Sequence, residues 1–292
     1  AEIPVVIIDV MRAGPSTGMA TKVEQSDIRY AIASGHGDAE KIVLAASSIE
    51  DCYYITQEAF NLAEEFQTPV IVLSDLQFGM CKQSVPAFDM NRVGIHRGKL
   101  LTEGLPELDT KKKAYFHRFE DSEDGISPRT IPGVKNGMFL STGLEHNVFG
   151  KPAEGQADRV MEMEKRHRKF KAVPSAIKPF YVTHEDTDTD LLLVGVTSTN
   201  GALEEAVEEL EAEGKKVNHL QLRLLSPFPT EALRPYMEGA KKVLIVEEDM
   251  TAQLRELFAI HFDCHDKLLS LLQYDGTPFT TSTIVNKAKE VF

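Results

Sequence analysis

Residues 41–75 constrain the fold most strongly, because two short apolar runs enclose one amphipathic segment. The runs Lys41–Ala46 and Val70–Asp75 have the length and β-branched content of buried strands. Between them, Ser47-Ser48-Ile49-Glu50 predicts a helix start, a capping box whose side chains satisfy free backbone N–H groups, and Thr68-Pro69 predicts its end. A helix between two apolar strands is a βαβ unit, which indicates an α/β fold with a parallel sheet. The apolar helix positions recur at spacings of three and four residues: Cys52, Ile55, Ala59, Leu62 and Phe66.

The opening run Ile3–Val10 predicts a further strand. A continuous apolar strand indicates burial on both faces, and such strands are central in parallel sheets. A central strand two residues from the first position, with no initiator Met, leads to the expectation that preceding pieces are absent or belong to another chain.

The alternation of strands and helices resumes after residue 180 and predicts a second α/β domain of ordinary size. Between Leu76 and Phe180 the pattern weakens, with scattered Pro and Gly, a basic tripeptide Lys111–Lys113 and no periodic run before Met161–Phe170. Loops this long are often functional or bound to a partner, and the alternative is a surface linker. We therefore expect three segments: 1–96, 97–180 and 181–292. The predicted elements of the last segment are strands at 190–196, 217–222, 243–246 and 268–274, a helix capped by Asn200 and ended by Gly214, and helices at 253–262 and 283–292.

Charge and cysteine content exclude several classes of protein. The 32 basic and 45 acidic residues give a net charge of -13, which disfavours non-specific binding to nucleic acid or an anionic membrane. No apolar run approaches the roughly 20 residues that span a bilayer, and no secretory signal is visible. The 3 cysteines are too few for a four-ligand iron–sulfur or zinc site and fit a reducing compartment. We expect a cytoplasmic protein.

The segment Met11–Gly18 directly follows the first predicted strand, where ligands bind in open α/β sheets. Arg12 has the fork geometry that holds a carboxylate or phosphate through two parallel hydrogen bonds. Thr17 adds a hydroxyl donor, and the glycines permit a tight turn. The pattern predicts a small anion-binding loop, and the alternative is a plain connection with a solvated Arg12. The loop itself is formed by Gly14, Pro15, Ser16 and Gly18.

Three other groups of polar residues carry weaker signals. His36 and Asp38 lie between glycines and are more typical of a turn than of a ligand pair. His261, Cys264 and His265 have no common zinc spacing, so no metal site is predicted. The acidic run at 247–249 follows a strand and is interpreted as an interface or helix-terminus feature.

The block Arg12–Asp27 resembles the signature of the α subunit of 2-oxoacid:ferredoxin oxidoreductases, particularly the 2-oxoglutarate type. The resemblance spans nearly the whole chain, and the first block is its specific part. The further matching blocks are Gly35–Asp38, Glu58–Glu64, Thr68–Asp75, Ser141–His146, Ser226–Pro229 and Tyr274–Phe279.

The resemblance implies a chain that begins inside the pyrimidine-binding domain of a thiamine enzyme and ends with a transketolase C-terminal-like domain. It also implies that Arg12 binds the 2-oxo-carboxylate, with Thr17, Thr21 and Lys22 near the remaining substrate groups. Lys22 suits a second carboxylate, which favours 2-oxoglutarate over pyruvate. No catalytic residue is assigned to this chain.

The resemblance further implies cofactors and partners. Thiamine diphosphate would lie at the interface with a β subunit that holds Mg²⁺ and a [4Fe-4S] cluster, with coenzyme A as co-substrate and ferredoxin as electron acceptor. Another chain would supply the upstream α segment, which carries a threonine motif and the glutamate that activates the cofactor. Two alternatives stay open: another thiamine-dependent dehydrogenase or transketolase-like component, which the Gly14–Gly18 block disfavours, and a non-catalytic assembly or regulatory subunit.

Overall fold

A four-stranded sheet forms the first part of the computed structural model, which describes residues 1–103, 105 and 116–292. Its order is β1-β3-β2-β9; the first three strands are parallel, and β9 pairs antiparallel with β2. α2 crosses from β2 to β3, which confirms the βαβ unit. The tripeptide Lys111–Lys113 lies outside the described residues. The bounds are β1 Val5–Met11, β2 Ile42–Ala45, α2 Ile49–Phe66, β3 Pro69–Asp75 and β9 Leu224–Ser226.

The start of α2 differs by one residue from the predicted capping box. Ser48, not Ser47, is the N-cap, and its hydroxyl accepts a hydrogen bond from the Asp51 amide at 2.9 Å. Asp51 in turn accepts bonds from the Ser47 amide and hydroxyl, each at 2.9 Å. An acidic side chain in the first turn also interacts favourably with the positive end of the helix dipole, so Asp51 takes the position expected for Glu50.

The prediction that β1 is a central strand buried on both faces was wrong. Within the described residues β1 pairs only with β3, and most of its side chains are exposed, including Ile3 just before it at 60% and Ile8 at 57%. The apolar composition of a segment indicates that it can form a buried strand. Its position in the sheet depends on which strands, distant in sequence, pair with it. In the described residues β3 covers one edge of β1 and the other edge is open.

A five-stranded sheet confirms the predicted α/β pattern after residue 180. Its order is β11-β10-β7-β8-β6, all parallel except β6, which runs antiparallel to β8. α6 and α9 pack on one face, and α7 and α8 on the other. The strands are β6 Phe180–Val182, β7 Thr189–Val196, β8 Val217–Leu222, β10 Ala240–Glu247 and β11 Leu268–Leu272; the helices are α6 Asn200–Ala212, α7 Thr230–Gly239, α8 Gln253–His261 and α9 Thr281–Val291.

Among its described residues, the middle of the chain contains little regular structure, as its pattern predicts. Its main helix, α4, begins at Gln156 rather than at Met161, because its first turn is polar and lacks the apolar period that marks the rest. The division of the chain at residues 96 and 180 stays a prediction. The remaining elements are α1 Ile28–Ala33, α3 Leu76–Met80, β4 Leu100–Leu101, β5 Arg129–Thr130, α4 Gln156–Phe170 and α5 Val173–Ala176.

A buried ion cluster attaches α4 to the start of β1. The ammonium group of Lys165 lies 2.9 Å from Glu2 Oε1 and 3.0 Å from Glu162 Oε2, and that of Lys169 lies 3.2 Å from Glu2 Oε2. Burial alone would raise the pKa of the Glu2 carboxyl, but Lys169 and Lys165 outweigh it and lower the pKa to about 2. The cluster therefore holds Glu2 ionised and fixes the middle segment to the first sheet.

One hydrophobic core extends across both sheets. Met11 and Leu73 of the first sheet belong to the same buried cluster as Leu220 and Ile245 of the second. Apolar burial of this kind is the main favourable contribution to packing. The two sheets therefore have fixed relative positions, which brings the ends of their strands together. Among the residues that the structure describes, every helix is too short or too polar to cross a lipid bilayer.

Candidate active site

The segment after β1 forms a closed loop. The Ala13 amide donates to the Lys22 carbonyl at 3.0 Å, the Met19 amide to the Ala13 carbonyl at 2.9 Å, and the Lys22 amide to the Met19 carbonyl at 3.0 Å. Ala13 and the preceding Met11 are buried and anchor the base. The backbone thus returns to its starting point, and Lys22 lies beside Ala13, one residue from Arg12. We call residues Arg12–Lys22 the signature loop.

Backbone conformation makes Gly18 necessary in the signature loop. Gly18 has a φ of +47°, and a β-carbon there would overlap the carbonyl oxygen of Ala13. Ser16 also has a positive φ, of 55°, and the Gly14–Pro15 bond is cis. The Ala13 carbonyl oxygen that Gly18 approaches also accepts the hydrogen bond from the Met19 amide. Close backbone packing and this hydrogen bond therefore both depend on the absence of a side chain at Gly18.

The structure places the four predicted substrate-binding side chains on the exposed surface of this loop. Arg12, Thr17, Thr21 and Lys22 are all exposed. Within the described residues, none of their side chains has a hydrogen bond or ion pair, so their donors are available to a ligand. Of the predicted loop residues, Gly14 is partly buried and Pro15, Ser16 and Gly18 are exposed. Their roles in binding stay predictions.

Three carboxyl groups that flank the signature loop in sequence have raised pKa values. Burial raises the pKa of Asp9, with a further contribution from Asp27, and burial also raises the pKa of Asp27. The pKa of Glu24 is raised by burial, with smaller effects from Asp249 and Asp27. These upward shifts reflect the partial burial of the three carboxyl groups.

Sequence analysis missed a set of buried polar residues directly behind the signature loop. Gln25 is fully buried, and its amide nitrogen donates to Thr197 Oγ1 at 2.7 Å, the Val196 carbonyl at 3.0 Å and Asp75 Oδ2 at 3.4 Å. Its backbone amide donates to the Glu248 carbonyl at 2.6 Å, and the Glu248 amide donates to Gln25 Oε1 at 3.1 Å. We call Gln25, Asp75, Thr197 and Glu248 the polar junction.

The polar junction lies where strands of both sheets end. Asp75 is the last residue of β3, Thr197 follows β7, and Glu248 follows β10. Thr197 has a φ of +48°, a costly conformation for a β-branched residue that persists only where its surroundings enforce it. The sequence indicated these residues only indirectly. Gln25 and Asp75 lie within two of the blocks that resemble the oxidoreductase family, and Glu248 lies within the acidic run at 247–249.

A turn from the second sheet packs on the signature loop. A β-carbon at Gly276 would lie 2.7 Å from Met19 Cε and 2.8 Å from Lys22 Cβ. Gly276 also has a φ of +78°, so a left-handed backbone and a close approach coincide there. The block Tyr274–Phe279, which also resembles the oxidoreductase family, therefore packs against the signature loop.

The other candidate residues lie apart from this loop. His36 and Asp38 line a cavity of about 840 Å³ at the amino ends of β2 and β3. His261 and Cys264 line another, of about 510 Å³, and His261 stacks on Phe228 with ring centroids 4.5 Å apart. Across residues 1–103, 105 and 116–292, no group of three or more His, Cys, Asp or Glu side chains has an arrangement suited to a metal ion.

Comparison with known families identifies this architecture. Residues 1–166 match the family described as pyruvate flavodoxin/ferredoxin oxidoreductase, thiamine diphosphate-binding, and residues 189–273 match pyruvate:ferredoxin oxidoreductase core domain II. The parallel sheet with the signature loop is thus that of a thiamine diphosphate-binding domain, followed by an oxidoreductase core domain. The chain belongs to the 2-oxoacid:ferredoxin oxidoreductase family.

The similar proteins are much longer than this chain. The α subunit of 2-oxoacid:ferredoxin oxidoreductase 2 from Aeropyrum pernix is 40% identical over the whole chain, which covers 44% of that protein. The 2-oxoglutarate synthase subunit KorA from Methanothermobacter marburgensis is 31% identical over 88% of the chain and 65% of its own length. A solved 2-oxoglutarate:ferredoxin oxidoreductase from Magnetococcus marinus, with 2-oxoglutarate, coenzyme A and succinyl-CoA bound, is 34% identical and superposes with a TM-score of 0.91, over 99% of this chain and 49% of its own.

Proposed function

We propose that this chain contributes the 2-oxoacid-binding loop of the α subunit of a 2-oxoglutarate:ferredoxin oxidoreductase. In the reaction, 2-oxoglutarate and coenzyme A give succinyl-CoA and carbon dioxide, and two electrons pass to ferredoxin; the reverse direction is a reductive carboxylation. The observation that carries the proposal is the signature loop, which exposes Arg12 and Lys22 without partners in the described residues. The names of the similar proteins support the reaction.

The side chains of the loop suit a dicarboxylate. The guanidinium of Arg12 donates two parallel hydrogen bonds to the carboxylate beside the 2-oxo group, and its fixed fork orients that group. Lys22, brought beside Ala13 by the closure of the loop, offers a second cation to the distal carboxylate of 2-oxoglutarate. Thr17 and Thr21 add hydroxyl donors. Pyruvate has no second carboxylate and would leave Lys22 unused.

The described residues fit one side of a cofactor site that a partner completes. They offer cations and hydroxyl groups toward an anion, and no group of three or more His, Cys, Asp or Glu side chains among them is arranged to hold a metal ion. As the family resemblance implies, the diphosphate, Mg²⁺ and the [4Fe-4S] cluster are assigned to the β subunit. When bound, thiamine diphosphate supplies the carbanion chemistry for decarboxylation of a 2-oxoacid.

The open edge of β1 is proposed as the contact with the rest of the α subunit. Val5, Ile7, Ile8 and Val10 are exposed although they are apolar, and an unpaired strand edge readily accepts another strand. The similar α subunit from Aeropyrum pernix is more than twice as long as this chain, so the additional segments of such a subunit are the proposed occupant of this edge. The free cysteines, Cys52, Cys81 and Cys264, are consistent with a cytoplasmic location.

Substitution of Arg12 in the assembled complex tests the proposed function. Loss of a charge-assisted contact costs about 1.5–3 kcal/mol, which corresponds to a decrease of roughly 10- to 150-fold in kcat/KM for 2-oxoglutarate in Arg12→Ala. Arg234→Ala, an exposed arginine on α7, is the matched control and should retain full turnover. Lys22→Ala should lose most of the preference for 2-oxoglutarate over pyruvate.

Two results would contradict the proposal. Normal turnover by Arg12→Ala would remove Arg12 from the substrate site. A complex that contains the native chain and its β subunit, yet does not oxidise any 2-oxoacid, would favour the non-catalytic alternative.

A further inference from the structure

The polar junction joins the signature loop to the second sheet through backbone and side chain at once. Gln25 lies three positions after Lys22, and its two hydrogen bonds with Glu248 tie the end of the loop to the end of β10. On the opposite side, the Gly276 turn packs against Met19 and Lys22. The loop is therefore held at two points, and both points belong to the second sheet and its connections.

Glu248 connects these two points. Its amide bonds to Gln25, and its Oε1 accepts a hydrogen bond from the Phe279 amide at 3.2 Å, just after the Gly276 turn. Its side chain therefore lies between the Gln25 contact and the turn. A change in Glu248 is transmitted to the loop from both sides.

The second carboxyl oxygen of Glu248 indicates a protonated side chain. Glu248 is 2% exposed, and its Oε2 is buried without a hydrogen-bond partner in the described part of the chain. An ionised carboxylate costs more free energy than a neutral acid in such a place, because a charge loses far more than a neutral group when it is removed from water. Burial first, then Asp75, and to a lesser extent Asp275, raise the pKa of Glu248 to about 8.

The groups that face Glu248 are mostly acidic. Asp75 reaches the junction from β3, where its Oδ2 accepts the Ser198 amide at 2.9 Å, and Asp275 belongs to the turn. Glu247 and Asp249 flank Glu248 on its own element. Lys22, which packs on Gly276, is a basic residue of the neighbouring loop. Ionised Glu248 would repel Asp75, and Gln25 is hydrogen-bonded to both of these residues.

We propose that Gln25 and Glu248 are positioning residues for the signature loop, and that loss of the Glu248 proton releases the loop from its contacts with the second sheet. The consequence for 2-oxoacid binding rests on the proposed function. Release of the loop displaces Arg12 and Lys22 together, so it raises KM for the dicarboxylate more than it lowers kcat.

Hydrogen exchange in the assembled α/β complex tests the positioning role without depending on turnover. Amide exchange is measured by mass spectrometry in peptides covering 12–22 and 275–279, below and above the pKa of about 8, and corrected for the intrinsic effect of pH. In the native complex, exchange in both peptides should rise together above that pKa. In Glu248→Gln, which is isosteric and neutral, exchange should be the same at both pH values, and in Gln25→Ala it should be high at both.

Glu247→Gln is the matched control. Glu247 is equally buried, burial and Asp249 raise its pKa to about 9, and its carboxyl caps α8 through the Leu254 amide at 2.6 Å rather than contacting the loop. This variant should increase exchange at the start of α8 and keep the native pH response of the 12–22 peptide.

The kinetic measurement separates this proposal from the proposed function. KM for 2-oxoglutarate should rise at least about tenfold above the Glu248 transition in the native complex and not in Glu248→Gln, since tenfold corresponds to the loss of about one hydrogen bond. If the exchange results hold and no 2-oxoacid is turned over, the positioning role stands and the substrate assignment fails. A native pH response of the 12–22 peptide in Glu248→Gln, or unchanged exchange in Gln25→Ala, would overturn the positioning role.

Discussion

Replacement of Arg223 by Met should be among the most destabilising changes in the chain. Arg223 follows β8, is 1% exposed, and donates to Asp51 Oδ1 at 2.7 Å and Oδ2 at 3.0 Å. It also donates to Glu58 Oε2 at 2.7 Å and to the Lys178 carbonyl at 3.0 Å. One side chain thus links the strand region of the second sheet to α2 of the first.

The magnitude follows from the groups that the substitution leaves behind. Removing one partner of a buried ion pair costs about 3–5 kcal/mol, mainly because the other charge remains buried and unpaired. Asp51 would stay buried but keep its hydrogen bonds from Ser47, and Glu58 is partly exposed to solvent, so each residual carboxylate keeps some stabilisation. We therefore expect the lower end of this range, about 3 kcal/mol.

Equilibrium unfolding in urea measures this free energy, and a double-mutant cycle with Asp51→Asn isolates the pair. The double variant should be less destabilised than the sum of the two single variants, because each single change already breaks the same contact. Arg234→Met, which removes an exposed ion pair on α7, should leave the midpoint unchanged. A loss below about 1 kcal/mol for Arg223→Met would refute the argument that this buried pair joins the two sheets.

Two further predictions concern the loop glycine and the pH dependence of stability. Gly18→Ala should lower the thermal unfolding midpoint, because the positive φ of Gly18 and the overlap with Ala13 both disfavour a β-carbon. The control Gly201→Ala, at a position in α6 with open space for a β-carbon, should raise the midpoint slightly. Equal midpoints for the two variants would contradict the loop geometry. His219 is buried, which lowers its pKa to about 4 against an unfolded value near 6.5. The folded state therefore binds the proton less well, so stability should fall by up to about 1.4 kcal/mol per pH unit as pH drops from 6.5 toward 4. His219→Gln should flatten the urea midpoint over that window, and an unchanged slope would show that His219 is not the responsible group.

Local signals were sufficient for the βαβ unit of the first sheet. The helix α2 and its flanking strands follow from spacing, capping residues and a terminating proline within a single stretch of sequence, and the structure confirms them. The environment of β1 did not follow, because apolar composition does not say which strands reach each edge. Only β3 does so among the described residues.

The same distinction applies to the candidate site. The signature loop is continuous in sequence, so Arg12 and the glycines could be selected together. Gln25 and Glu248 are separated by 223 positions, and no periodicity connects two polar residues so far apart. Their contact depends on the packing of one sheet against the other, which only the structure shows.

The antiparallel strand β9 has a consequence for biosynthesis. β2 pairs with β9, with Val43 opposite Ser226 and Leu44 opposite Leu224. The edge strand of the first sheet therefore comes from a segment far downstream in the sequence. During translation, the βαβ unit leaves the ribosome with β2 at an open edge, and β2 remains uncovered until Ser226 has been synthesised. Pairings of such long range form slowly and leave apolar edges accessible in the meantime. The nascent chain is thus most vulnerable to aggregation between the completion of α2 and the arrival of β9, which is the interval in which a chaperone would act.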